Sequence, residues 1–356
     1  MKVGIAYSLA PPGSEQPLEG PDDRFEEFDK IETVDAIADV IRGEGHEVAL
    51  LGDGREFLTR VLADPPDFVF NIAEGEGVGR SREARVPAAL EMLGIPYSGS
   101  DPLTLAASLD KDVAKRLVAS PALASVPRGH LLLGPPPKAR EKGRWIEMLL
   151  LEIFGTDEID LREHPLILKP AFEGSSKGIR DQGIARSVEE VLGSFRQLRQ
   201  TYDQPILVEE FIGGQEVTVG IVGNWLLSPE TTGEVLGVMR VVPNTPTDDF
   251  VYSLEVKRHW RNRVRYECPA QIEGFDLGRI KIAATMAWLN LGCRDCARFD
   301  FRVDPRGVPF FIEANPLPGL APVTSDLVIL AEGHGVSHAD LIRKILDAAL
   351  TRVGMA

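Results

Sequence analysis

Apolar and polar positions along this chain fall into two rhythms. Residues 3–7 form a short apolar run, and residues 33–42 carry Val34, Ile37, Ala38 and Ile41 at helical spacing before Gly43. Residues 46–51 alternate as a second strand, and residues 67–71 are a third apolar run. Strands interleaved with helix predict a parallel α/β sheet whose ligand crevice lies at the carboxyl ends of the strands. A glycine- and proline-rich loop is expected over 10–21, a helix over 85–93 and a turn over 94–100. After a break near Asp101-Pro102, the pattern predicts one helix from 103 to about 118, a proline-rich loop over 121–137 and a helix over 138–154. Strand 166–169, a glycine loop, helix 187–200 and strand 206–208 follow, and the remaining α+β portion ends in a helix over 339–350.

The alternation over Phe299-Asp300-Phe301-Arg302-Val303 and the run Val308-Pro309-Phe310-Phe311-Ile312-Glu313 flank Asp304-Pro305-Arg306-Gly307, whose residue types suit a tight turn. With Val303 paired to Val308, Arg298 faces Glu313 and Asp300 faces Phe311. Because paired residues share a face, Arg298, Asp300, Glu313 and Asn315 then project together. Two carboxylates and a carboxamide are hard-oxygen ligands suited to magnesium held with phosphates. The arginine is suited to a phosphate or an oxyanion. A surface salt-bridge ladder is the alternative reading.

Lys169-Pro170-Ala171-Phe172-Glu173-Gly174-Ser175-Ser176-Lys177-Gly178 follows a predicted strand. Glycines let backbone N–H groups converge on an anion, and serines and lysines add donors and charge. The spacing matches neither a Walker nor a dinucleotide fingerprint, and a plain turn is the alternative. Val208-Glu209-Glu210-Phe211-Ile212 and Glu216 come next, acidic groups able to read an amino group and ribose hydroxyls or simply to end a strand in solvent.

Composition narrows the partners. A length of 356 residues suggests two or three domains. A net charge of −15 argues against nucleic acid and anionic membranes as partners. No apolar run is long enough to span a bilayer, and the start is too quickly polar for a secretory signal. Three cysteines fit a reducing cytoplasm, and Cys293 and Cys296 read as half-buried thiols flanking a strand rather than zinc ligands.

Taken in order, these phrases resemble the ATP-grasp superfamily and, within it, the D-alanine–D-alanine ligase family. Further phrases carry the likeness: Gly94-Ile95-Pro96-Tyr97-Ser98-Gly99-Ser100, Leu109-Asp110-Lys111, Glu216-Val217-Thr218-Val219, Cys268-Pro269-Ala270, Leu291-Gly292-Cys293 and Glu313-Ala314-Asn315-Pro316-Leu317-Pro318-Gly319. The resemblance runs from about Phe68 to the C terminus. It implies a three-domain ATP-grasp architecture of α/β and α+β parts. These are an N-terminal Rossmann-like (pre-ATP-grasp) domain over 1–102, a central subdomain with the glycine loop over 103–208, and a C-terminal subdomain with the metal site and a basic lid over 209–356.

The resemblance also implies roles. Lys111 and Lys169 contact nucleotide phosphates, and Glu173, Gly174, Ser175 and Ser176 close over them. Glu209, Glu210 and Ile212 border adenine, and Glu216 takes the ribose. Asp300, Glu313 and Asn315 hold two magnesium ions, with manganese as an alternative. Arg298 and Gly319 stabilise the tetrahedral intermediate, Ser175 and Lys257 serve catalysis, and Lys257 to Arg265 is the lid. The expected reaction joins two amino acids or similar small molecules through an acyl phosphate, releasing ADP and phosphate, with D-alanine–D-alanine ligation one candidate among such pairs. A phosphotransferase and a non-catalytic nucleotide-binding protein are the alternatives, and a homodimer is the expected assembly. Several positions depart from the family pattern. Arg258 stands where tyrosine is usual, Glu74-Gly75 replaces His-Gly and precedes Arg80-Ser81-Arg82, and Thr324-Ser325 replaces Ser-Leu. Glu27 and Glu32 are the candidates for the amino-terminal glutamate. Arg258, Glu74, Arg80, Thr324, Ser325 and Glu32 are thus the expected substrate-side residues.

Overall fold

The computed structural model describes residues 1–11, 20–120, 124–225, 233–247, 249–272 and 275–356. Residues 12–19 of the expected 10–21 loop, and 121–123 at the start of the proline-rich stretch, lie outside the described residues. Strands β1 (Lys2–Tyr7), β2 (Glu47–Gly52) and β3 (Phe68–Ile72) form a parallel sheet ordered β2-β1-β3. The helix Ile31–Gly43 buries Val34, Ile37, Ala38 and Ile41, the stripe legible in the sequence. A helix at Gly54–Ala63 was not expected; only Phe57 and Val61 turn inward, too thin a stripe to register as periodicity.

A four-stranded antiparallel sheet follows, ordered β4-β7-β5-β6, from β4 (Gly129–Leu132), β5 (Leu166–Pro170), β6 (Ile184–Ala185) and β7 (Ile206–Glu210). The stretch 121–137, expected to be mostly loop, holds the short strand β4. The third sheet is ordered β10-β9-β8-β11-β12, from β8 (Gln215–Val222), β9 (Glu234–Pro243), β10 (Val264–Glu267), β11 (Cys296–Val303) and β12 (Pro309–Asn315). The basic run 257–265 is therefore not a loop. It forms the helical segments Leu254–Arg258 and Trp260–Arg263 and enters β10.

Two packing arrangements position the site. On β11, Ala297, Phe299 and Phe301 are fully buried against Phe311 and the helix Leu277–Leu291. Each such ring contributes about 1.5–3 kcal/mol on burial, and the alternation leaves Arg298, Asp300 and Arg302 on the opposite face. Elsewhere, Leu341, Ile342, Ile345 and Leu346 of the C-terminal helix His338–Val353 share a core with Val3, Ile5 and Ile37, which fixes the first sheet against the third. Cys293 and Cys296 are both buried, more deeply than expected, and burial pushes their thiols up out of the reactive range.

Candidate active site

The β11–β12 hairpin brings the predicted carboxylates together by a register different from the expected one. Asp304 accepts from the backbone N–H groups of Arg306 (2.9 Å) and Val308 (2.8 Å), and Gly307 takes φ 77°. The turn therefore closes one residue later, with Val303 opposite Pro309 rather than Val308. A bulge between Asp300 and Phe301 adds a second offset, so Arg298 pairs with Asn315 and Asp300 with Glu313. The two one-residue offsets cancel in parity, and all four side chains still share a face.

On that face Arg298 lies 2.9 Å from Asp300, 3.3 Å from Asp326 and 3.9 Å from Glu313. Asn315 and Thr218 also donate to Asp300, at 3.2 and 2.9 Å. Burial raises the Asp300 pKa, with the charge of Glu313 adding and Arg298 opposing. Burial works the same way on Glu313, yet Lys111, Lys257 and Arg298 hold that carboxyl well below the usual range.

Lys111 reaches Glu313 (2.6 Å) because the expected helix from 103 to 118 is broken. Asp110 leaves helical geometry at ψ 100° and caps the amide nitrogens of Asp112 and Val113. The result is two helices, Pro102–Leu109 and Lys111–Val118. Arg80 pairs with Asp110 at 2.9 Å and does not line the cleft.

In the glycine loop Ser175 and Ser176 both have positive φ, 48° and 60°, a strained pair that turns successive N–H groups to one side. Ser176 donates to the Tyr252 carbonyl at 2.7 Å. Of the two amino-terminal candidates, Glu27 is locked into this loop. Its carboxylate accepts from the Gly174 N–H (2.6 Å), Arg82 (2.8 Å) and Lys177 (3.1 Å). Any side chain at Gly174 would meet Glu27 Oε1 at 2.7 Å. Burial alone would raise Glu27, but Arg82 and Lys177 hold it down to about 2. Glu173 is likewise buried, ion-paired to Lys177 and Arg82. Glu32 is exposed at the cleft rim.

At the nucleotide end, a slot lined by Lys169, Ser176, Glu209, Glu210, Phe211 and Ile212 opens toward Lys257, Asp300 and Glu313. Glu209 sits between Lys169 (3.1 Å) and Lys115 (2.6 Å), so its carboxylate is taken and its backbone is what borders the slot. Burial and the neighbouring Lys169 lower the Lys115 ammonium to about 8, against the pull of Glu209. Glu210 pairs with Arg128 at 2.6 Å, and Glu216 with Arg302 at 2.8 Å. Arg302 also donates to the carbonyl of Ile212 at 2.5 Å. Lys115, Arg128 and Arg302 escaped the sequence reading because single basic residues in helix, loop and strand carry no spacing signal.

The slot continues into a cleft of about 800 Å³ lined by Lys111, Ser175, Lys257, Arg258, Arg298 and Asn315. Gly319, Thr324, Ser325 and Asp326 line its far end, and Glu27, Glu32, Glu74 and Glu83 its N-terminal wall. Arg258 leaves the lid to pair with Glu26 (2.8 Å) and Asp22 (3.2 Å), while Lys257 lies 5.2 Å from the Tyr252 ring. Tyr252, Tyr266 and Asp326 form a hydrogen-bonded set beside Arg298. The all-oxygen set of Asp300, Glu313 and Asn315 fits magnesium. Its two carboxylates are already matched by cationic nitrogen, Arg298 and Lys111, so positive charge is what this face accommodates.

A glycine loop, a lysine-lined slot and a carboxylate face, set between two antiparallel sheets, define an ATP-grasp ligase, an enzyme that forms an amide bond at the expense of ATP. Residues 152–347 match the family described as D-ala D-ala ligase C-terminus, more than half of the chain, and the protein belongs to the D-alanine–D-alanine ligase family. The D-alanine–D-alanine ligase of Anaeromyxobacter sp. strain Fw109-5 is 29% identical over 323 residues, covering 90% of this chain and 91% of that one. The ligase of Gloeobacter violaceus is 29% identical, covering 88% and 92%. Among solved structures, D-alanine–D-alanine ligase from Bacillus anthracis complexed with ATP superposes with TM-score 0.68 at 20% identity, covering all of both chains. VanG D-Ala:D-Ser ligase from Enterococcus faecalis gives 0.65 at 21%, covering 98% and 99%. These structural likenesses establish the ATP-grasp fold. Among the described residues, no helix is long and apolar enough to cross a membrane.

Proposed function

We propose that the protein activates a carboxylic acid by phosphoryl transfer from ATP and couples the acyl phosphate to an amine, releasing ADP and phosphate. A carboxylate resists attack because oxide is a poor leaving group, and phosphorylation converts it into phosphate. The observation that carries this reading is the convergence of Arg298, Asp300, Glu313 and Asn315 on one face, with Lys111 at 2.6 Å from Glu313. Asp300, Glu313 and Asn315 would hold magnesium, two ions in the fullest loading, which neutralises phosphoryl oxygens when bound. Lys111 and Lys169 bind phosphates, and the successive N–H groups of Gly174, Ser175 and Ser176 cover them. The backbone from Glu209 to Ile212 borders adenine, and Glu216, turned by Arg302, takes the ribose. Arg298 and the Gly319 N–H meet the oxyanion, where losing one donor typically costs about 10²–10³ in rate. Lys257 and the closed lid keep water from the acyl phosphate. The acid and amine are two amino acids or similar small molecules, not both D-alanine, because Glu74, Arg258 and Thr324-Ser325-Asp326 alter both amino-acid subsites.

Incubation with ATP, magnesium and paired amino-acid panels is expected to yield ADP, phosphate and an amide. AMP with pyrophosphate would refute this, and a phosphorylated product formed without amine would instead support a phosphotransferase. Asp300→Asn is expected to lower turnover by about 10²-fold or more, with an unchanged melting temperature because burial already disfavours its charge.

A further inference from the structure

Asp29, Glu74 and Glu83 line the N-terminal wall of the cleft, with the charges of Glu83 and Asp29 both acting on Glu74, and none of the three has a side-chain hydrogen bond or ion pair among the described residues. The other buried acids facing the cleft are matched: Glu27 and Glu173 by Arg82 and Lys177, Glu313 by Lys111, and Asp326 by Arg298. Every lysine, arginine and histidine of the chain lies within the described residues, so the remainder contains no residue that could supply the missing charge.

Glu83 is only 8% exposed. Ser108, on the same cleft and 4% exposed, has a hydroxyl with no partner among the described residues. A buried polar atom left unmatched beside a cavity is satisfied when a ligand fills it. Burial raises all three carboxyls, Asp29 to about 7 and Glu83 to about 8, against the pull of Arg82 on Glu74 and of Arg82 and Lys111 on Glu83. The cleft that these acids line, about 800 Å³, has room for an organic cation. An ammonium or guanidinium placed here meets carboxyls that carry no ion pair among the described residues and favours their ionised forms.

We propose, resting on the ligase reading above, that the acid substrate is a basic α-amino acid whose side-chain ammonium or guanidinium is held by Glu74 and Glu83, with the Ser108 hydroxyl accepting a further N–H. Titration calorimetry on the full-length enzyme, loaded with magnesium and a non-hydrolysable ATP analogue, tests it. Both enantiomers of lysine, arginine and norleucine are compared, the last being lysine without its side-chain ammonium. Lysine or arginine is expected to bind at least about tenfold more tightly than norleucine. Glu83→Gln and Glu74→Gln are each expected to abolish most of that preference without changing affinity for the nucleotide. Equal binding of norleucine, or a preference that survives both substitutions, overturns the inference. This comparison needs no turnover. If no acid–amine pair releases ADP, the ligase reading fails, and the binding result still decides whether a basic amino acid is recognised. Should one variant not fold, the other carries the test.

Discussion

Glu27 shows how much one carboxylate organises when nearly all of its neighbours are buried. It receives Arg82, which is 1% exposed, together with Lys177 and the Gly174 N–H. Glu27→Gln would leave the buried cations Arg82 and Lys177 to share Glu173, a loss of up to about 3–5 kcal/mol, measurable by denaturant unfolding at pH 7. The sign with pH follows from its folded pKa of about 2, below the ordinary value. The stabilisation is fully present above the ordinary carboxylate range and disappears as pH falls toward 2, so wild type and variant should converge in acid. This role was not legible in the sequence. Glu27 and Glu32 are equally acidic and near each other, and only tertiary contacts with Arg82, far along the chain, separate them.

At the scale of elements, the periodic helices and the chemistry-bearing phrases could be read directly, because apolar spacing and turn residues act locally. Register and helix breaks could not. The pairing within β11–β12 depends on the Asp304 carboxylate accepting from backbone N–H groups of the turn, and the break at Asp110 depends on a cap that outweighs a continuous helical pattern. The lid was legible as a basic run but not as helix, and two of its charges, Arg258 and Arg263, are spent on Asp22, Glu26 and Asp181, while Lys257 and Arg261 line the cleft. Arg258 thus latches the lid to the N-terminal segment. Arg258→Ala is expected to raise the ratio of ADP released to amide formed by about two- to tenfold, since the pair is partly exposed and worth about 1 kcal/mol. An unchanged ratio, measured by coupled assay and mass spectrometry, would remove the latch.

Across the whole molecule, the C-terminal helix joins the first sheet to the third, so the acid-rich wall and the phosphate machinery are parts of one packed body. The unmatched acids should govern its response to pH. Glu83 is faced by Arg82, Glu27, Lys111 and Glu173, and Glu74 by Glu83, Glu27, Arg82 and Asp29. With folded pKa values of about 8 for Glu83 and about 7 for Asp29, the native state binds more protons than the unfolded chain between roughly pH 4 and 8. The ligand-free protein should therefore melt at progressively lower temperature as pH rises from 5 to 8, and Glu83→Gln should flatten that slope in scanning calorimetry. A last consequence concerns redesign. Because two irregularities in the β11–β12 ribbon compensate, trimming or adding a single position at its tip would rotate one edge half a pleat, sending Phe311 to water and Glu313 into the aromatic interior. Grafts of this ribbon between homologous scaffolds must exchange the tip and the kink as one cassette.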